Sequence, residues 1–480
     1  MAYVEKIISP EIENDECITV DVPEDESELI PRYYRDSPFS RAWLRITTIK
    51  KYTPPLFKKW SYAEPPPLPN YTPSLLSRLK GKAIIDGNEL RAMDTTIWQV
   101  RLRQGTDPEE TVIAASSGPA APITATPILA HGDHILHITD PHFSVGPNRN
   151  KHIWRLETEP DDGRPTLAQQ ILAAVGTKKI GLIVISGDLT FSALEAEFRA
   201  ASGFIWTLLG RFGIGREHVI VVPGNHDISW TKTETYTEGA KLDVPPAAAI
   251  VNYQNFYKAF FGHDPHVTLC MGRRYVLGGN FLVDVCALNS TSLATGKEFL
   301  AGVGRIEERG FTEVREGLGW TSESGLALRL LILHHHLVPI ENMLHEAEYY
   351  RGFGMALDAP RIQRLASAAG VRLALHGHRH QPFLWQSEVY ELPNIDLRGE
   401  HLGRMTVVGG GTAGSVDTPD QFAHFNLLRI GAGSIELHPF RARPGSAFDP
   451  APLWRAPVSL DKVSGRLCIG IWARTDRAQE

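Results

Sequence analysis

The sequence is poor in cysteine, and the few cysteines that it has are scattered. Only four of its 480 residues are cysteines, and no CxxC pair occurs. Cysteines this sparse and dispersed argue against a disulfide framework and against a zinc site built from cysteine. The four are Cys17, Cys270, Cys286 and Cys468.

Long apolar runs and an excess of positive charge are also missing. No stretch approaches the roughly 20 apolar residues that a membrane-spanning helix needs. The N-terminal stretch MAYVEKIISPEIENDE has no basic region followed by an apolar core. We therefore predict no membrane segment, no signal peptide and a cytoplasmic location. The net charge of −6 gives the whole chain no attraction to nucleic acid or to anionic membranes.

The first part of the chain differs in composition from the rest. It begins with acidic stretches and then becomes proline-rich, as in AEPPPLPNYTP, but it also contains Trp43 and Trp60. Aromatic residues argue against pure disorder. We predict an N-terminal extension at residues 1–127 that is partly irregular, a main domain at residues 128–440, and a C-terminal tail at residues 441–480 that packs on this domain.

The main domain alternates between short apolar runs and segments with helical periodicity. Examples are IGLIVISGD and VIVVPGN for the runs, and SALEAEFRAASGFIWTLLGRFG and APRIQRLASAAG for the helical segments. This alternation predicts an α/β fold with mostly parallel central strands. Later β-like pieces, among them RMTVVGGGTAG and HFNLLRIGAGSIELHPF, are expected to add antiparallel strands at a sheet edge.

Five of the apolar runs end in residue types that bind metals. In open α/β sheets the ligand site lies outside the carboxyl ends of the strands, so these five ends can converge. The candidate residues at the strand ends are Asp140, His142, Asp188, Asn225, His226, His334, His335, His336, His376, His378 and His380.

The chemistry of this set favours a pair of metal ions. Carboxylate and imidazole groups without thiolate suit Mn, Fe or Zn. Two aspartates, an asparagine and at least three histidines exceed what one tetrahedral ion needs, and suit two ions roughly 3.5–4 Å apart. Residues i and i+2 of an extended segment share a face, so DPH and HRH can each offer two groups.

The five blocks resemble those of the calcineurin-like metallophosphoesterases, whose pattern is D-x-H, G-D, G-N-H-D/E, a histidine after a strand, and G-H-x-H. The resemblance spans the chain from Asp140 to His380 and implies a four-layer αββα sandwich of two mixed β-sheets flanked by helices. It also implies that His226 contacts the substrate phosphate and can protonate the leaving oxygen. By the same resemblance, one ion is held by Asp140, His142, Asp188 and His380, and the other by Asp188, Asn225, His334 and His378, with Asp188 bridging.

Some assignments stay open at this point. His334 follows its strand end directly and is the expected ligand, with His335 as the alternative. Asp227 either hydrogen-bonds to His226 or only caps the turn. His376 is expected to be a supporting or core residue. The stretch HDPH at residues 263–266 also contains D-x-H, but it follows a helical segment and is expected to be a loop.

The GDLT form within SGDLTFS, and the stretches ALNSTSLATG and GRIEERGFTEVREGL before the three consecutive histidines, look like the cyclic-nucleotide phosphodiesterase-like branch of the family. The expected function is therefore a dinuclear metal-dependent phosphoesterase, with a phosphodiesterase favoured over a phosphomonoesterase. A metal-bridging hydroxide would attack a phosphodiester or a small phosphorylated substrate. The alternatives are a nuclease with the same site and a catalytically silent scaffold. A nuclease needs a basic groove, and Arg273 and Arg274 are the nearest candidates. Nucleic acid is possible but not favoured as a partner, no membrane partner is expected, and the oligomeric state stays open.

Overall fold

The structure is a computed structural model with two compact units, Met1–Ser117 and Gly118–Glu480. In the first unit it describes the backbone of six short strands. In the second unit it describes residues 121–230, 247–293, 302–320, 327–339, 354–391, 400–431, 433–460 and 467–475. The proline-rich stretch at residues 64–73 lies outside the described residues.

The described strands of the first unit form three antiparallel pairs. Strand β1 (Ala2–Ile8) pairs with β4 (Trp43–Ile49), β2 (Ile12–Glu13) with β3 (Glu16–Cys17), and β5 (Trp60–Tyr62) with β6 (Val100–Leu102).

The second unit alternates strands and helices before it ends in a series of strands. Its helices are α1 (Leu167–Val175), α2 (Glu195–Phe212), α3 (Ala247–Phe261), α4 (Glu308–Gly317) and α5 (Ala359–Ala368). Its strands are β7 (Ile123–Ala130), β8 (His134–Ile138), β9 (Ile180–Ile185), β10 (Val219–Val221), β11 (Met271–Leu277), β12 (Phe281–Ala287), β13 (Leu328–Ile332), β14 (Val371–His376), β15 (Pro382–Glu391), β16 (Glu400–Gly410), β17 (Ala423–Ile430), β18 (Ser434–Ala442), β19 (Asp449–Pro450), β20 (Leu453–Leu460), β21 (Leu467–Ile469) and β22 (Ala473–Thr475).

These strands form two mixed sheets. The nine-stranded sheet has the order β10-β9-β8-β17-β18-β20-β21, with β19 beside β18 and β22 beside β20. Its β8, β9 and β10 run parallel, whereas β17, β18 and β20 add antiparallel strands. The seven-stranded sheet has the order β15-β16-β14-β13-β12-β11-β7, with β12, β13, β14 and β16 parallel to one another.

Alternation along the central strands explains how these sheets are buried on both faces. On β13, Leu328, Leu330 and Ile332 belong to the large apolar cluster that both sheets share, and Leu331 belongs to a second cluster. Side chains of successive strand residues point to opposite faces. The second cluster contains Phe311 of α4 as well as Ile362 and Ala366 of α5, so these helices cover the outer face of the seven-stranded sheet.

Local sequence signals set the limits of the helices on the other side. Helix α1 begins after Thr166, whose side chain accepts a hydrogen bond from the backbone N–H of Gln169, and the Gln169 side chain accepts one in return. This capping box satisfies two backbone donors that a helix start leaves open. Helix α2 ends at Gly213 in the left-handed conformation, which glycine adopts without steric cost.

The fold class predicted from the sequence is confirmed: it is an α/β sandwich of two mixed β-sheets with flanking helices. One strand differs from expectation, because β16 was expected at an antiparallel edge but pairs parallel with β14 on one side. None of the described helices is long and apolar enough to cross a membrane. Cys270, Cys286 and Cys468 are free thiols. The predicted boundaries at residues 127 and 440 stay predictions.

Candidate metal centre

The predicted site residues follow the carboxyl ends of five strands in two sheets. Asp140 and His142 follow β8, Asp188 follows β9, and Asn225 and His226 follow β10 in the nine-stranded sheet. In the seven-stranded sheet, His334 follows β13, and His378 and His380 follow β14. Strands β8, β9 and β10 are parallel neighbours in one sheet, and β13 and β14 are parallel neighbours in the other. The turns that follow these strands therefore meet at one end of the sandwich.

Asp140, His142 and His380 form the first group of side chains. The Nε2 atoms of the two imidazoles lie 3.0 Å apart. Asp140 Oδ1 lies 3.5 Å from His380 Nε2 and 3.8 Å from His142 Nε2. These three ligand atoms are close enough together to hold one ion.

Asp188, Asn225, His334 and His378 form the second group. His334 Nε2 lies 3.3 Å from Asp188 Oδ2, 3.0 Å from Asn225 Oδ1 and 3.2 Å from His378 Nδ1. A carboxylate oxygen, an amide oxygen and two imidazoles thus converge on one point.

Asp188 lies between these two groups. Its Oδ2 atom, which faces His334, is also 3.6 Å from His142 Nε2 of the first group. The side chain is 1% exposed, and its Oδ1 accepts a hydrogen bond from the backbone N–H of His226 at 2.8 Å. The carboxylate of Asp188 is therefore within reach of donors from both groups.

The donor set of this centre fits metal ions. Buried carboxylates and imidazoles that face one another are stable when they are paired or coordinate a metal. Here His142 Nε2 faces His380 Nε2 at 3.0 Å, and His334 Nε2 faces His378 Nδ1 at 3.2 Å. Nitrogen and oxygen donors without thiolate suit Mn, Fe or Zn. Asp140, Asp188, Asn225, His142, His334, His378 and His380 are therefore the residues that would hold the ions.

The backbone of the centre is held in an uncommon conformation. Positive φ angles occur at Asp140 (48°), His142 (47°), Asp188 (50°), His378 (81°) and His380 (55°). Such angles are rare for non-glycine residues, and each costs about 1–3 kcal/mol. Nine described non-glycine residues have a positive φ angle, and five of the nine are these predicted ligands. Among the residues that the structure describes, backbone strain is therefore concentrated at the centre.

Backbone carbonyls fix the orientation of two histidines. The Nδ1 of His334 donates to Ser186 O at 2.9 Å, and the Nδ1 of His380 donates to Asp417 O. A proton on Nδ1 leaves the Nε2 lone pair of the neutral ring directed at the centre. A second partner of this kind is a usual feature of metal-binding histidines, because it sets the tautomer and the ring plane.

The carboxylate of Asp188 is held in its charged form by its surroundings. Burial by itself raises the pKa of this group, but the imidazoles of His334 and His226 outweigh burial and keep the pKa well below its usual range. Burial by itself lowers the pKa of His334, but the negative charge of Asp188 outweighs burial and raises the pKa to about 9. An ion that binds His334 must therefore displace a proton, as is usual where metal binding and protonation compete.

His226 is positioned by backbone groups and by aromatic rings. Its Nδ1 donates to the carbonyl of Phe191 at 2.8 Å, which leaves Nε2 free to carry a second proton. The rings of His142 and Trp230 lie 4.8 and 5.0 Å from its own ring. One ring nitrogen of His226 also lies within 4.8 Å of the ligand atoms of His142 and Asp188, so the geometry alone permits it to be a ligand.

Asp227 connects the turns after β9 and β10 through hydrogen bonds and does not orient the His226 ring. Its carboxylate accepts hydrogen bonds from the backbone N–H groups of Gly224, Leu189 and Thr190 and from the Thr190 hydroxyl. Burial raises its pKa to about 7. Of the two alternatives that the sequence leaves open, these contacts fit a role in the turn and not a hydrogen bond to the His226 ring. Asp227 also connects the turn after β10 to the turn after β9.

The remaining histidines lie beside the centre. His335 Nδ1 bonds to Ser290 Oγ at 2.8 Å, whereas His334 is the residue next to Asp188 and Asn225. His336 and His376 have ring centroids 4.4 Å apart and pack against Phe383. All three rings are fully buried, and burial holds the pKa of each well below the usual histidine range.

Sequence reasoning missed the residues that support the ligands. Thr412 Oγ1 donates to the carbonyl of Asp140 at 2.6 Å, and Thr139 Oγ1 donates to the Asp140 carboxylate. Thr412 belongs to the stretch RMTVVGGGTAG, which the sequence predicts only as a β-like piece. Thr412 and Asp140 are 272 positions apart, so no local pattern connects them.

Gly377 offers a test of the Asp140 position. A Cβ atom at this residue would overlap with Thr139 Oγ1 and Asp140 Oδ2. We expect Gly377→Ala to weaken Mn²⁺ binding by about 10–100-fold, because Asp140 must move and positioning defects near a metal have effects of this size. Titration of the metal-stripped protein with Mn²⁺ measures the affinity.

Gly203→Ala is the matched control. Gly203 lies in helix α2, and a Cβ atom there would meet nothing within 4 Å. We expect unchanged Mn²⁺ affinity and a slightly higher melting temperature, because alanine favours a helix more than glycine does. Unchanged affinity in Gly377→Ala would contradict the role of Asp140 as a ligand.

Comparisons with solved structures find distant similarities. A single mutant of Vps29 from Entamoeba histolytica is 12% identical, covers 68% of this chain and 99% of that chain, and has a TM-score of 0.26. A predicted phosphoesterase from Streptococcus pneumoniae is 12% identical over 66% of this chain and 98% of that chain, with a TM-score of 0.24. The NAD nucleotidase of Haemophilus influenzae is 12% identical over 72% of this chain and 53% of that chain, with a TM-score of 0.24. Similarities this remote carry no argument about activity.

Comparison with family models is more informative. A model described as Pua-like matches residues 1–111. No curated protein matches the chain. The model of the calcineurin-like phosphoesterases matches residues 134–382, which include every predicted ligand. Because this match takes in just over half of the 480 residues, the chain belongs to the calcineurin-like phosphoesterase family.

Proposed function

We propose that this protein is a dinuclear metal-dependent phosphoesterase and that its substrates are phosphodiesters. The position of the Asp188 carboxylate carries the proposal, because its Oδ2 lies 3.6 Å from His142 of one group and 3.3 Å from His334 of the other. A carboxylate shared by two sets of nitrogen and oxygen donors is the feature that distinguishes a two-ion site from a single-ion site.

The ions would be Mn, Fe or Zn, since these share the available ligands. When bound, they would polarise a phosphoryl oxygen and lower the pKa of a water molecule, which supplies a nucleophile at neutral pH. The seven ligand side chains would hold the positive charge of the ions in a buried site, where electrostatic stabilisation of a transition state is stronger than in water.

His226 supplies the acid in this proposal. Because Nδ1 donates to Phe191 O, a protonated His226 carries its second proton on Nε2. This proton can go to the oxygen that leaves phosphorus. The imidazole is then neutral and keeps its remaining proton on Nδ1, where it donates to Phe191 O. The backbone hydrogen bond therefore holds the ring still while its charge changes.

The surroundings of His226 favour a diester. The half-buried rings of Phe191 and Trp230 lie 5.6 and 5.0 Å from the His226 ring. Flat apolar surface beside the leaving-group position suits a second organic substituent more than it suits a phosphate oxygen. This agrees with the stretch SGDLTFS, which is similar to the cyclic-nucleotide phosphodiesterase-like branch.

A nuclease with the same site receives less support. The basic groove expected around Arg273 and Arg274 is not formed by these residues, because the Arg273 side chain is buried. Arg274 is paired with Asp284 through two hydrogen bonds of 2.7 and 2.8 Å. Neither guanidinium is presented to a phosphate backbone, which would have to supply most of the affinity for nucleic acid.

Hydrolysis of two model substrates tests the proposal. Metal-stripped protein refilled with Mn²⁺ is expected to cleave bis-p-nitrophenyl phosphate faster than p-nitrophenyl phosphate. A preference for the monoester would retain the metal chemistry and refute the diesterase assignment. Absence of both turnover and bound metal would favour the catalytically silent scaffold. The predicted cytoplasmic location and the expected absence of a membrane partner stay predictions.

A further inference from the structure

A cavity of about 460 Å³ lies between the two sheets, separate from the metal ligands. One wall comes from β15 and β16, with Leu384 and Val408 opposite each other in register. The other wall comes from β17, β18 and β20, with Leu437 and Trp454 in register. The volume falls in the range of pockets that hold small molecules.

The side chain of Asn426 forms a polar spot in this mostly apolar cavity. Asn426 is 3% exposed and stands opposite Pro439 in the pair β17–β18, so both face the cavity. Among the residues that the structure describes, none accepts a hydrogen bond from Asn426 Nδ2. A buried donor without a partner is costly and rare, and such a group calls for an explanation.

Two other side-chain donors of the cavity are already engaged. Gln386 Nε2 donates to Gly470 O at 2.8 Å and to Thr406 Oγ1 at 3.1 Å. Trp472 Nε1 donates to the same Thr406 oxygen at 3.0 Å. These bonds fix the indole of Trp472 as part of the wall, whereas the Asn426 amide is a buried donor that remains available to a guest.

We infer that this cavity binds a neutral, flat heteroaromatic molecule that accepts a hydrogen bond from Asn426. Two tryptophans, Trp454 and Trp472, supply aromatic surface, and aromatic rings associate with such surface beyond the area that they bury. None of the described residues that line the cavity is charged, so a charged guest would lose its hydration without compensation. This inference does not depend on the proposed phosphoesterase activity.

The cavity also adjoins the metal centre through two strands. Asn426 is the register partner of His137 on β8, the strand that leads to Asp140. Val408 and Gly409 continue into Gly410, where a Cβ atom would overlap with Thr139 and His137. A guest would therefore contact β16 and β17, which pair with β14 and β8, the strands that lead to the first group of ligands.

Quinoline and naphthalene provide a matched pair of probes for calorimetric titration of the full chain. They have nearly the same shape, but only quinoline carries a ring nitrogen that accepts a hydrogen bond. We expect both to bind and quinoline to bind about three- to tenfold more tightly, the ratio expected for one hydrogen bond to a buried donor. Asn426→Leu should reduce quinoline to the affinity of naphthalene.

Two further variants keep the test decisive if Asn426→Leu does not fold. Leu384→Trp fills the cavity and should abolish binding of both probes. Leu460→Trp adds the same side chain at an exposed position outside the cavity and should leave both affinities unchanged. Equal affinity of the two probes for the unchanged protein would refute the role of Asn426. Absence of binding by either would refute the cavity as a binding site and leave it to water.

Discussion

Asp188→Ala is expected to reduce the hydrolysis of bis-p-nitrophenyl phosphate by about a thousandfold or more. Metal ions supply several kcal/mol of charge stabilisation to such reactions, and each 1.36 kcal/mol is a factor of ten in rate. Asp188 is the carboxylate that lies within 3.6 Å of a histidine from each group, so its loss affects both proposed ions. The rate and the Mn²⁺ content are measured on the same refilled sample.

The chain contains its own control for this substitution. Asp264 and His266 repeat the D-x-H spacing in the loop after α3, and the Asp264 side chain is exposed and paired with Lys258 at 2.9 Å. Asp264→Ala should keep the rate and the metal content of the unchanged protein. If Asp188→Ala kept two ions per chain and its full rate, the assignment of Asp188 as the carboxylate shared by both ions would be wrong.

His226→Gln is expected to lower kcat by about a hundredfold to ten-thousandfold, the usual contribution of a general acid. In contrast to Asp188→Ala, it should retain both ions, because His226 is assigned to the leaving oxygen. The loss should be larger for diphenyl phosphate than for bis-p-nitrophenyl phosphate, since phenol is the poorer leaving group and depends more on protonation. Rates on both diesters and the Mn²⁺ content are measured together.

The geometry makes this a demanding test, because His226 also lies within reach of the atoms that His142 and Asp188 offer to a metal. Loss of an ion from His226→Gln would show that His226 is a ligand. An equal loss of rate on both diesters would assign it to stabilising phosphoryl charge instead of protonating the leaving oxygen. His263→Gln, in the loop after α3, is the matched control and should leave both rates unchanged.

Much of the fold follows from local patterns in the sequence. Alternation between apolar runs and helical segments predicts the α/β class, since strands that are buried on both faces read as nearly continuous apolar runs. The runs IGLIVI and VRLALH form β9 and β14, which are buried along their whole length. The position of the candidate site is also readable, because parallel strands bring their carboxyl ends to one edge of a sheet.

Other features depend on contacts that no local pattern encodes. The choice of His334 over His335 as the residue beside Asp188 depends on the direction in which each ring leaves the end of β13. Likewise, the burial of Arg273 removes a basic surface that the printed sequence suggests.

The sequence alone determined which residue types gather at the centre, and therefore the chemistry that is available there. The tertiary structure decided which atoms face one another and which groups hold them in place. Thr412 supports Asp140 from 272 positions away, and His142 meets His380 across 238 positions. Such pairs form only when two sheets pack together, since their geometry is set by the sum of many weak packing contacts and not by the residues between them.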